Sequence, residues 1–96
     1  MLLNRSYGRY VGIDRWGDDR PLPVQLAAYL RAQILSGELE PGQKLPSEAS
    51  MMQEHGVSRN TTRAAIALLR DEGYVQTRPQ YGSRVKVREE WPDDGQ

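Results

Sequence analysis

The sequence predicts a small, mainly α domain with a short β element (α+β): three helices, then a two- or three-stranded antiparallel sheet. Two observations carry this. Apolar residues recur at helical spacing near 24–36 and 58–72, a capping serine and two methionines mark a shorter helix near 48–55, and each stretch is closed by a glycine. After Gly73 the period falls from about 3.6 to 2. Val75 and Thr77 then alternate with Gln76 and Arg78, and Val85 and Val87 with Arg84, Lys86 and Arg88. The 96 residues, 38% of them hydrophobic, suffice for one domain with a core just large enough to fold without staples. There is no cysteine, which removes disulfides, thiolate chemistry and the usual structural zinc sites together.

Residues 1–20 form an N-terminal arm without a sustained period. Tyr7, Tyr10, Val11, Ile13 and Trp16 are interleaved with Arg5, Arg9, Arg15 and Arg20. A short strand at Arg9–Ile13 is one reading, and an arm that packs a few aromatics on the domain is another. Pro21-Leu22-Pro23 sets up the first helix, since proline is tolerated in a first turn. Leu26, Leu30 and Ile34, flanked by Ala27 and Leu35, make its core stripe, with Tyr29 and Arg31 half exposed; it carries no chemistry. Pro41-Gly42 suits the central positions of a type II turn, and Lys44-Leu45-Pro46 is short and extended. Ser47 is a good N-cap for the second helix, with Glu48 where the helix dipole favours a carboxylate and Met51 and Met52 facing the core. Gly56-Val57 turns tightly into the third helix, capped by Ser58, and two helices joined by so short a Gly-containing turn form a helix-turn-helix. Pro79-Gln80-Tyr81-Gly82-Ser83 turns the hairpin, and residues 89–96 read as an acidic, unpatterned and frayed tail.

The third helix is the informative one. Thr62, Ala65, Ile66, Leu68 and Leu69 fall on one side, and Arg59, Asn60, Arg63, Ala67 and Arg70 on the other. A face cationic at its start and short in its middle fits a groove walled by phosphates, where Arg and Asn read guanine and adenine edges. The formal charge is zero, but its distribution is uneven. Residues 58–88 carry a net +5, residues 89–96 a net −4 and the first 57 a net −1. Local charge sets a binding footprint more than the total does. The hairpin adds Arg78, Arg84 and Lys86 on the face opposite its valines, and the arm could be a basic extension reaching DNA or a dimer contact.

Catalysis has little to work with. His55 is the only histidine, placed where it favours a helix C-terminus, and the pairs Asp18-Asp19, Glu89-Glu90 and Asp93-Asp94 are adjacent on solvated stretches. No Gly-rich phosphate loop follows a strand, so neither an enzyme nor a cofactor or metal site is expected. No apolar run approaches a membrane span, and the N-terminus lacks a signal-peptide core, which points to an intracellular protein.

From Pro23 to Val85 the chain resembles the DNA-binding domain of the GntR family of bacterial transcription regulators. The resemblance rests on Leu30-Arg31, Ile34-Leu35-Ser36-Gly37-Glu38-Leu39, Pro41-Gly42 and Leu45-Pro46-Ser47-Glu48. Val57-Ser58-Arg59, Thr61, Arg63, Leu69, Gly73, Gly82 and Val85 complete it. It implies a winged helix-turn-helix, with a recognition helix at Ser58–Glu72 and a wing at Tyr74–Arg88. It also implies DNA contacts from Ser58, Arg59, Thr61, Arg63 and the wing tip. Ala49 stands where the family often has arginine, Thr62 where a hydrophobic residue is usual, and Gln80 where a glycine is common. An altered sequence preference is expected from these departures.

The residues expected to touch DNA are Ser47, Ser58, Arg59, Asn60, Thr61, Arg63, Arg78, Gln80, Tyr81, Gly82, Arg84 and Lys86. The domain is expected over 21–88, and the partner is double-stranded DNA with a near-palindromic operator. Family regulators usually continue into a ligand-binding, dimerising domain. Residues 89–96 cannot supply one, so no small-molecule effector is expected on this chain, and the initiator methionine favours a naturally small regulator over a fragment. Such a chain is expected to be largely monomeric when free and to form a homodimer on DNA, in the bacterial cytoplasm at the nucleoid. The expected function is sequence-specific transcriptional control, with repression by occupying an operator. The alternative is a winged-helix module for an acidic protein partner, or a non-specific DNA-binding accessory protein.

Overall fold

Helix ends follow from local chemistry in the computed structural model, which describes residues 13–14 and 16–92 and the backbone of 5–6 and 8–9. Strands β1 (Arg5–Ser6) and β2 (Gly8–Arg9) are two residues each; most of the strand expected at Arg9–Ile13 lies outside the described residues. Helices α1 (Leu22–Ser36), α2 (Glu48–His55) and α3 (Arg59–Glu72) follow, then β3 (Val75–Arg78) and β4 (Gly82–Val85). Pro21 precedes α1 and Pro23 sits in its first turn. Ser47 and Ser58 cap α2 and α3, each hydroxyl accepting from the backbone N–H three residues on at 3.0 Å.

The core lies between α1 and α3. Leu26, Ala27, Leu30 and Ile34 meet Ala65, Ile66 and Leu69, and Val75, Val85, Leu39, Leu45 and Met51 close the ends. Arg31 and Glu72 clamp the two helices with a paired contact at 2.8 and 2.7 Å. Thr62 occupies its hydrophobic slot at no polar cost: fully buried, it donates its hydroxyl to the Ser58 carbonyl at 3.1 Å. Leu35, expected in the core stripe, is instead 49% exposed. It lies just past the arc of α1 that α3 covers, one residue beyond Ile34.

β1 and β2 pair in parallel, and β3 and β4 form an antiparallel hairpin with one further bridge. Val75 pairs with Val85, Gln76 with Arg84, Thr77 with Ser83 and Arg78 with Gly82. The Gln43–Leu45 segment lies along β4 through Leu45 N–H to the Ser83 carbonyl and Val85 N–H to the Gln43 carbonyl, both 2.9 Å. This is the extended stretch before α2, joined by a single bridge between Lys44 and Arg84. Val87, expected on the apolar face, is 46% exposed because β4 ends at Val85 and the chain then turns. It turns into a 3-10 segment at Arg88–Glu90, so the stretch after Glu89 is not frayed at its start. Trp91 is drawn back to the wing: its indole N–H donates to the Lys86 carbonyl at 2.7 Å, its ring meets Tyr74 edge-on at 6.1 Å, and the Arg88 guanidinium lies 4.9 Å above it.

At the other end, Gln25 is almost fully buried on α1. Its amide oxygen accepts from Asp14 N–H at 2.8 Å, and its nitrogen donates to the carbonyls of Arg20 at 2.7 Å and Asp18 at 3.3 Å. A buried amide must be satisfied, and this one is satisfied by the arm's backbone. Ile13 packs against the core, but Trp16 is 96% exposed rather than packed. The Asp14 carboxylate accepts from the N–H groups of Trp16 and Gly17 at 3.1 and 2.8 Å, and the resulting turn carries the indole outward.

Candidate nucleic-acid interface

The turn between α2 and α3 aims one end of α3 at solvent. Gly56 closes α2 in the left-handed conformation (φ 64°), and Val57, buried, pins the turn to the core. Ser58, Arg59, Asn60 and Arg63 are exposed at the start of α3, and Thr61 is half-buried beside them. The Ser58 hydroxyl donates to Thr61 Oγ1 at 3.1 Å, so the Thr61 proton is left to donate outward. Ser47 is exposed at the α2 N-terminus, with its hydroxyl engaged by Ser50.

One carboxylate lies between the two arginines. Glu48 Oε2 accepts from Arg63 Nε at 2.8 Å, and its Oε1 lies 3.7 Å from Arg59 Nε. The Arg63 hydrogen bond, ahead of the charges of Arg63 and Arg59, holds the Glu48 carboxyl below the usual glutamate range. The same bond raises the Arg63 guanidinium. In the sequence Glu48 was legible as a helix-dipole residue and as part of the Leu45-Pro46-Ser47-Glu48 match, but not as a partner of the arginines. Its role depends on the angle between two helices, which no spacing rule supplies.

The wing presents a second cluster. Arg78, Arg84 and Lys86 share with Gln76 the face opposite Val75 and Val85, around a shallow depression of about 500 Å³ that Tyr81 and Glu90 also line. Arg84 is partly committed, since its Nη1 donates to the Gly42 carbonyl at 3.1 Å. Lys44, absent from the expected contacts, also belongs here: its Cε lies 3.2 Å from where a Cβ on Gly82 would stand. The last turn of α3 touches the hairpin's other face through Arg70 and Thr77, 3.5 Å apart. Hence the expected residues other than Ser47, which caps α2, form two clusters, one at the start of α3 and one on the wing.

Gln80 adopts a backbone conformation that favours glycine. The hydrogen bond from Tyr81 N–H to the Arg78 carbonyl (3.1 Å) closes a four-residue turn with Pro79 second and Gln80 third, at φ 72°. That is the type II pattern, whose third position favours glycine; Gly42 fills it at φ 83° in the turn closed by Gln43 N–H and the Glu40 carbonyl. A side chain there stores strain at an exposed tip. Gln80→Gly is therefore expected to raise stability by about 0.5 kcal/mol, strain relief exceeding the added unfolded-state entropy. Gln80→Val should lower it by roughly 1–2 kcal/mol. Urea midpoints check both, and equal midpoints for the two variants would contradict the strain.

His55 is buried against Tyr29, ring centroids 5.0 Å apart, and burial pushes its imidazole below the ordinary histidine value. Burial thus disfavours the charge expected at the end of α2, and packing on Tyr29 places the ring. Among the described residues no three His, Asp or Glu side chains are grouped to hold a metal ion, and no helix is long and apolar enough to cross a membrane.

The sequence profile of bacterial regulatory proteins of the gntR family matches residues 22–85. Over 70 residues the chain is 42% identical to the uncharacterized HTH-type transcriptional regulator YieP of Escherichia coli K12, covering 73% of this chain and 30% of that protein. It is 40% identical over 67 residues to the mannosyl-D-glycerate transport/metabolism system repressor MngR of the same strain, covering 70% and 28%. The chain thus spans less than a third of the length of either relative. Among solved structures, the DNA-binding domain of AraR in complex with operator ORR3 superposes with a TM-score of 0.68 at 32% identity, covering 79% of this chain and 92% of that one. With three α-helices among the described residues, the two-stranded wing and a family match over two-thirds of its length, this chain is a winged helix-turn-helix protein and belongs to the gntR family of bacterial regulatory proteins.

Proposed function

We propose that this chain binds double-stranded DNA sequence-specifically and controls transcription, as a repressor that occupies an operator, without enzymatic activity of its own. The observation that carries this is the start of α3, where Arg59 and Arg63 stand exposed one turn apart and share a carboxylate. A helix N-terminus with two arginines, an asparagine and a free hydroxyl proton suits a major groove, its side chains on base edges and its N–H groups towards phosphate. The wing cations then meet the backbone or an adjacent minor groove. One such unit reads only a few base pairs, so two chains on a near-palindromic site would supply enough sequence to select one place in a genome. MngR is a repressor and the AraR domain was crystallised on operators, which supports this reading. The setting that follows is the bacterial cytoplasm, at the nucleoid.

Selection of bound sites from random duplex DNA tests the proposal. Enrichment of a two-fold motif is expected, with a full site bound more cooperatively than two separate halves. An unenriched pool would mean non-specific binding or an acidic protein partner. Salt dependence tests the wing. Lys86→Ala should lower the slope of log affinity against log salt by roughly one, with operator and scrambled duplex affected alike. Arg84→Ala should do the same while also lowering the urea midpoint, because it frees the Gly42 carbonyl. Unchanged slopes in both variants would mean that the wing stands off the DNA.

A further inference from the structure

Glu48 is a conspicuous group to find between two DNA-facing arginines, because its charge opposes the ligand. Its pairs with Arg63 and Arg59 have side chains 60% and 55% exposed, against 34% for Glu48. Exposed pairs of this kind contribute little to folding, so stability is a poor account of the arrangement. The geometry is more telling. In both pairs the closest approach is at Nε, and the hydrogen bond from Arg63 is made there. The Nη1/Nη2 end carries the two parallel N–H groups with which arginine spans guanine O6 and N7. Glu48 belongs to α2 and the arginines to α3, so the carboxylate ties the Arg63 side chain to a frame outside its own helix and faces Arg59 across 3.7 Å.

We infer that Glu48 is a positioning residue for sequence reading: it sets the guanidinium plane of Arg63 and withholds the charge of Arg63 and Arg59 from loosely bound phosphate. An arginine on a free stem next to a polyanion gains from any phosphate within reach, whatever the sequence. An arginine held at Nε must leave Glu48 to follow a stray phosphate, but keeps Glu48 while its Nη end meets a base. The carboxylate therefore lowers non-specific affinity more than specific affinity. Discrimination between sites is a difference of affinities, and a group that opposes the wrong complex raises it.

The inference rests on the DNA-binding reading. Its test uses the full chain, the duplex enriched by selection and a scrambled duplex of equal length and composition. Affinities are titrated over a salt series for wild type, Glu48→Gln, Glu48→Asp and Glu48→Ala, with urea midpoints beside them. For Glu48→Gln the scrambled duplex should bind more tightly, with a salt slope steeper by roughly one, and the ratio of enriched to scrambled affinity should fall about tenfold. The loss of discrimination should fall at the base pair lost in Arg63→Ala. Glu48→Asp keeps the charge on a shorter stem, so it should restore the shallow slope but only part of the ratio. An unchanged ratio in both Glu48→Gln and Glu48→Ala overturns the inference. Affinities for both duplexes that fall in step with the urea midpoint do so as well, because they mark a structural role. A wild type that distinguishes no sequence overturns the functional reading and this inference together, whereas a discriminating wild type with an equally discriminating Glu48→Gln overturns the inference alone.

Discussion

Replacing Arg63 with alanine should weaken binding to the selected operator by roughly 5- to 150-fold and flatten the preference at one base pair, as expected for an arginine bidentate to guanine. Arg59→Ala should act at a different base pair and by less. Arg63 is held at hydrogen-bonding distance by Glu48, whereas Arg59 stands 3.7 Å from it and must still be ordered on binding. The two losses should not add. Both arginines share one carboxylate, so either truncation leaves that charge less well paired and facing phosphate, and neighbours in one network couple. Part of each loss is then repulsion, and Glu48→Ala introduced on top of the double variant should recover that part. Titration against operators carrying each single base-pair change reads the size and place of every loss. If both single variants match wild type on every site, α3 is not the reader.

How far such residues could be read in advance depended on how local their chemistry is. Ser47 and Ser58 were legible as caps because a cap joins atoms three residues apart on one segment. Leu26, Leu30, Ile34, Ala65, Ile66 and Leu69 were legible because a helix repeats its faces, and Val75 and Val85 because a strand alternates. Other contacts join separate elements and have no spacing signature. Glu48 meets Arg63 across the turn of the helix-turn-helix, Arg84 meets a carbonyl 42 residues away, and Trp91 folds back on Tyr74. Gln25 was the least legible. It interrupts an apolar face, and its partners are backbone atoms of the arm, which look alike in every sequence. Leu35 and Val87 erred the other way: each continues a correct pattern past the place where its partner element stops.

The largest effect on folding should come from Leu69→Ala. Leu69 is fully buried in α3, in the layer shared with α1, and its carbonyl accepts from Gly73 N–H at 3.1 Å and Tyr74 N–H at 3.0 Å. It therefore stands where the helix ends and the wing begins. Truncating a buried leucine removes its transfer free energy and leaves a cavity, about 2–5 kcal/mol together. A core in a domain of this size rarely supplies more than roughly 3–5 kcal/mol, so the variant should be substantially unfolded at 37 °C. Leu35→Ala is the matched control: the same residue type half out in solvent, expected to change stability by about 0.5 kcal/mol or less. Urea midpoints at 25 °C separate the two. Operator DNA binds only the folded chain, so an operator concentration near a hundred times the dissociation constant should return about 2.7 kcal/mol to Leu69→Ala. Apparent affinity should then fall while the salt slope and base preferences stay those of wild type, unlike Arg63→Ala, which changes the preferences. A Leu69→Ala midpoint no lower than that of Leu35→Ala would mean that α1 and α3 do not close over this residue.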